Sequence, residues 1–113
     1  MNIKKNIYLR NNREWIRVTI DSILYIKSRG NVTLVVLDDE KIILTSESFQ
    51  DLLGRLPDCF FRVHRSYIVN TDKIERVRFK EIILGSYRIP IGPTRLESLF
   101  SKLDICTIKC LET

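Results

Sequence analysis

His64, Arg65 and Ser66 stand in a row inside FFRVHRSYIVN, residues 60–70, where Phe61, Val63, Tyr67 and Val69 otherwise recur at every second position like the residues of a strand. A base and a hydroxyl two residues apart suggest nucleophilic catalysis, because on one regular strand both point to the same face. The rest of that machinery is missing. There is no G-x-S-x-G turn and no acid placed to orient the imidazole. Gly30, Gly54, Gly85 and Gly92 never cluster, which leaves no P-loop and no dinucleotide fingerprint. No enzyme and no cofactor are expected.

Nucleic-acid binding accounts for more of these residues. In a regular strand Arg65 shares the face of Val63 and Tyr67, a costly place for a charge unless the strand ends, bulges or bends. The segment therefore reads as two strand pieces joined by a surface bend at His64-Arg65-Ser66. There a guanidinium fork suits phosphate and guanine edges. The structural alternative is that His64 and Ser66 bond nearby backbone and Arg65 forms a salt bridge. Arg95 raises the same question. It stands at the first helical position behind Thr94, where the positive end of the helix dipole disfavours a cation, so a phosphate or base contact competes with an ordinary surface role.

The elements that must hold these residues are mostly strands: IYL around residue 8, EWIRVTI at 14–20, ILYIKS at 23–28, VTLVVL at 32–37, KIILTS at 41–46, IERVRF at 74–79, EIILG at 81–85 and YRIPI at 87–91. Gly30-Asn31 offers positive-φ positions for a turn, and Asp38-Asp39-Glu40 links strands 32–37 and 41–46 as a hairpin. In SESFQDLLGRLP, Phe49, Leu52, Leu53 and Leu56 follow helical spacing, with Ser46 or Ser48 as the cap and Pro57 as the stop. A second helix is expected from Thr94, where Thr94 and Glu97 fit a capping box and Leu96, Leu99, Phe100 and Leu103 make the apolar stripe. The fold class is mainly β, small antiparallel sheets with one or two short helices.

At 113 residues the chain is one domain able to bury a core without disulfides or a metal. Cys59, Cys106 and Cys110 form no C-x-x-C pair and only one histidine accompanies them, so no metal site is expected; Cys106 and Cys110, four apart, are read as small buried hydrophobes rather than redox thiols. No apolar run is long enough for a membrane span and the N-terminal stretch lacks a signal h-region, which points to the cytoplasm. Lys and Arg outnumber Asp and Glu by 7 to 2 in residues 1–30 and by 10 to 6 in residues 61–113, against 2 to 6 between them. Such segregation fits a basic face for a polyanion, or strand edges guarded by solvated charge.

Taken together, ILYIKSRGN, the capped helix ending in LP, FFRVHRSYIVN and IPIGPTRLESL resemble the LytTR DNA-binding domain of bacterial response regulators, over nearly the whole chain to about Leu103. The resemblance implies three small antiparallel sheets whose loops lie along one face of duplex DNA and enter successive major grooves at direct repeats. It also implies roles by position. Asn31 matches a place that reads bases in a major groove, and Arg65 one that faces the DNA between the two grooves. The third place reads P-x-S-R in the family but Pro90-Ile91-Gly92-Pro93 here, so the usual arginine is missing and Arg95, two residues later, is the candidate substitute. Family regulators carry a receiver domain in front, whose acidic pocket this sequence lacks, so the chain is a stand-alone member or an output domain.

The expectation is thus a sequence-specific double-stranded DNA-binding domain of a bacterial transcription regulator, residues 1–103, with a tail at 104–113. Asn31, Arg65 and Arg95 are the principal site residues, His64 and Ser66 flank the bend, and Arg29, Arg62 and Lys27 are candidate phosphate contacts. The partner is promoter DNA, bound by one copy or by a homodimer. Two other classes stand beside this one: a β-rich module that binds an acidic protein, and an RNA binder, which the lack of an exposed aromatic stacking pair disfavours.

Overall fold

Strand alternation carries into the fold almost element by element, as a computed structural model describing residues 5–104 shows. β1 (Asn6–Asn11) and β2 (Glu14–Thr19) form a two-stranded hairpin. β3 (Ile23–Arg29), β4 (Val32–Leu37), β5 (Ile42–Thr45), β6 (Phe60–His64) and β7 (Tyr67–Asn70) make a five-stranded antiparallel sheet in the order β5-β4-β3-β7-β6. β8 (Arg76–Arg78), β9 (Glu81–Leu84) and β10 (Tyr87–Pro90) complete a three-stranded sheet. The expectation of three small antiparallel sheets with two short helices, α1 (Phe49–Arg55) and α2 (Leu96–Lys102), is met.

Side chains alternate across the central sheet, so it carries a core on each face. Ile26, Val35 and Ile68 face β1, β2 and α1, packing with Leu9, Val18, Phe49 and Leu52. Val63 and Val69 face the three-stranded sheet and α2, packing with Ile82, Leu84, Ile89 and Leu99. Truncating the fully buried Ile and Leu side chains among them to alanine costs about 2–5 kcal/mol each. Two register shifts make this division work. One lies between Ile23 and Tyr25 and the other between Arg62 and His64; each turns the following residues to the other face.

α1 starts as expected from Ser48, whose hydroxyl accepts from the Asp51 N–H at 3.1 Å, and ends before Pro57. α2 corrects its expectation. The capping box at Thr94 does not form: the helix begins at Leu96, Arg95 is its cap residue, and no side chain caps it. The Arg95 N–H instead donates to the Gly92 carbonyl at 2.9 Å, closing a Gly92–Arg95 turn with Pro93 at its second position, where a fixed φ is favoured. That backbone turn replaces the side-chain cap.

One end of the central sheet gathers turns. The β3–β4 turn, the β6–β7 bend and the segment after β5 all sit there, as the pairings Arg29 with Val32, His64 with Tyr67 and Thr33 with Thr45 require. At the opposite end lie Lys5, whose carbonyl accepts from the Ile20 N–H, and buried Asn70, which donates to the Ile23 carbonyl at 3.0 Å and accepts from the Asp72 N–H. Among the described residues no helix is long and apolar enough to cross a membrane, and no cluster of His, Cys, Asp and Glu could hold a metal. Cys106, Cys110 and the tail expected from residue 105 onward lie outside the described residues.

Candidate nucleic-acid interface

The β3–β4 link is a two-residue turn, and Gly30 alone takes a positive φ, +63°, which a residue with a Cβ rarely adopts. This is the pattern of a type II′ hairpin turn, whose twist matches that of the strands. Asn31 follows, exposed at the tip, and Arg29 precedes, also exposed.

The polar triplet forms the expected bend. β6 stops at His64 and β7 starts at Tyr67, with the register shift just before the turn, so Arg65 escapes the core and stands exposed. His64 is held locally: its Nδ1 accepts from the Ser66 N–H at 3.0 Å, and its ring meets Tyr67 edge-on at 5.6 Å between centroids. Ser66 joins the bend to the neighbouring hairpin, because its carbonyl accepts from the Ser28 N–H at 3.0 Å.

Arg62 has a role the sequence does not disclose. Its guanidinium lies 5.1 Å from the centre of the Phe49 ring, and its Nη2 donates to the Arg65 carbonyl at 2.7 Å. The side chain anchors the bend to the start of α1. Lys27, half-buried, is also engaged, with Nζ 5.5 Å from the centre of the Tyr67 ring.

Two adjacent hairpin tips of one sheet lie two strand spacings apart, about 10 Å. Between Asn31 and Arg65 runs an open groove of about 390 Å³, closed on its third side by Ser46, Glu47, Ser48 and Gln50. Sequence reading missed this wall; Ser46 and Ser48 carried only a capping signal. Glu47, the one acid in the groove, is paired with Arg55 and accepts from the Arg10 N–H at 3.2 Å, so it offsets little of the arginine charge.

Arg95 lies outside that groove, on the far side of the bend. Its loop is fastened there by the Gly92 N–H, which donates to the Val63 carbonyl at 2.7 Å. The approach is so close that a Cβ on Gly92 would stand 3.3 Å from the Val63 oxygen and 3.5 Å from the His64 Cα. Asn31, Arg65 and the Gly92–Arg95 turn therefore follow one another along one end of the molecule. A row of exposed turns with amide and guanidinium groups suits the edge of a long polyanion better than a small molecule.

Comparison with known proteins identifies the family and the fold. Residues 13–104 match the family model described as the LytTr DNA-binding domain. Among solved structures, the one described as the LytTr DNA-binding domain of putative methyl-accepting/DNA response regulator from Bacillus cereus superposes with a TM-score of 0.73 at 25% identity, covering 88% of this chain and 97% of that one. No match was found among curated proteins.

Proposed function

The chain belongs to the LytTr DNA-binding domain family, and from that membership we propose that it reads promoter DNA through the row of turns formed by Asn31, Arg65 and Arg95. The observation that carries this reading is the gathering of those three turns at one end of the molecule, with Asn31 and Arg65 exposed and Arg95 half-buried beside them. Asn31, on a narrow hairpin tip, enters a major groove and offers its amide to an adenine edge. Arg65 faces the backbone between two grooves. Arg95 meets the DNA beyond it, as a phosphate contact. Arg29 adds charge at the first tip, while Arg62, His64, Ser66 and Lys27 hold the shape of the surface from within.

Loops that reach successive grooves from one face fit a site of two direct repeats, occupied by two copies of the domain. Cytoplasmic transcription regulation follows from the same reading. Mobility shift on genomic fragments with repeated sites, in the presence of competitor DNA, tests it. A retarded band that specific but not random duplex removes is the expected result; failure to retard any duplex, with binding to an acidic protein instead, would overturn it.

A further inference from the structure

We propose that the tip of the β1–β2 hairpin, Asn12 and Arg13, is a fourth DNA-contacting turn that extends the bound site outward past Asn31. The inference rests on the DNA-binding reading above. The row just described has a neighbour on its Asn31 side. β1 and β2 close through a two-residue turn, since Asn11 pairs with Glu14, and Asn12 takes a φ of +57°, a conformation asparagine tolerates better than most residues. Both turn residues are exposed.

What directs this tip at the same surface is a set of hydrogen bonds from the segment that walls the Asn31–Arg65 groove. The Arg10 carbonyl accepts from the Ser46 N–H at 3.1 Å and from the Thr45 hydroxyl at 2.7 Å. The Arg10 N–H donates to Glu47, and Arg55 donates to the Tyr8 carbonyl at 2.7 Å. These bonds lie just before the turn and lock the hairpin to the end of β5, so Asn12 and Arg13 project from the same end of the molecule as Asn31. An open groove of about 350 Å³ separates the two tips, lined by Asn11, Asn12 and Asn31 together with Val32, Leu44 and Ser46. Its amide-rich rim can bond sugar and phosphate oxygens, and Arg13 supplies a cation at its outer edge. Glu14, the next residue, is exposed but points by alternation to the opposite face of β2 from Arg13, and the Arg10 Nε donates to the Asn12 carbonyl at 3.5 Å, which adds a second cation beside the turn.

A tip fixed by its own fold pays little ordering entropy on binding, so a single arginine there acts as a phosphate contact that does not discriminate among sequences. The test compares the full chain with Arg13→Ala and Arg65→Ala on one duplex, across a salt series and with phosphate-ethylation interference. Arg13→Ala should weaken binding roughly threefold to tenfold, reduce the salt slope by about one, and remove interference only from phosphates outside the bases that Asn31 affects. If Arg65→Ala weakens binding while Arg13→Ala matches the parent in affinity and slope, the extension is wrong and the main reading stands. If the parent chain binds no duplex at all, both fall.

Discussion

Nη2 of Arg62 donates to the carbonyl oxygen of Arg65 at 2.7 Å, so one arginine holds the backbone of the other in place. The two belong to the same short motif and have opposite uses. Removing Arg65 should weaken specific DNA binding by roughly 1–3 kcal/mol with little change in melting temperature, because its side chain is exposed. Removing Arg62 should lower the stability itself by about 1–3 kcal/mol and weaken binding as a consequence, since a charged hydrogen bond and the contact with the Phe49 ring are lost together. Thermal melts beside binding isotherms separate the two; equal melting losses would show that Arg65 is structural.

Asn31 and Arg95 stand on opposite sides of the bend, which gives them separate segments of the DNA. In a binding-site selection, Asn31→Ala should relax preference in one block of bases, and any preference lost in Arg95→Ala should lie roughly 10 base pairs away. Because Arg95 is half-buried and stands at the cap of α2, its effect should be the weaker and uniform across sequences. Selected sites identical to the parent's for both variants would remove the positional assignment.

Charge neutralisation should dominate the affinity. With roughly 4 to 6 phosphate contacts, log K against log salt should fall with a slope of about −4 to −5. A salt-independent affinity would exclude this basic surface as the source of binding.

Gly92 is placed for contact rather than for an unusual backbone angle. Alanine there should cost about 1 kcal/mol, as the loop backs away from the Val63 carbonyl, and should carry Arg95 with it. The expected signature is a lower melting temperature together with loss of whatever Arg95→Ala loses. Unchanged stability would mean that the loop yields without strain.

Burial, aided by the nearby carboxylate of Asp72, pushes the Cys59 thiol above its ordinary pKa. Less of it is thiolate at neutral pH, so alkylation at pH 7.5 should be slower than for a cysteine in a short peptide, as mass spectrometry of the Cys59 fragment can follow. Asp72→Asn should speed the reaction. Labelling at the peptide rate would contradict the assigned environment.

Much of the fold was legible from residue order because most strands and both helices announce themselves by period, and the first helix also by its stop at Pro57. The bend at residues 64–66 was legible for a sharper reason: a guanidinium at a core-facing position cannot remain in a regular strand. What escaped depends on partners distant in sequence. The register shifts beside Leu24 and Val63 arise from fitting one strand to its neighbours at once, and neither leaves a mark in the local alternation. Arg62 looked like one more surface cation, since nothing near it reveals that Phe49 supplies its platform. Thr94 looked like a cap because the pattern was right; the turn from Gly92 to Arg95 had already satisfied the backbone by another route. The exposed hairpin tip at Asn12 and Arg13 was passed over because its importance comes from Thr45, Ser46 and Glu47, more than thirty residues away.

Lys5 lies at the end of the central sheet opposite the exposed turns, where its carbonyl meets the Ile20 N–H and where Asp21 and Asp72 line the same shallow hollow. That end stands behind the row of tips like a wrist behind fingertips. A fluorescent label attached through Asp21→Cys should therefore leave DNA binding intact, as binding isotherms of the labelled and parent chains can show.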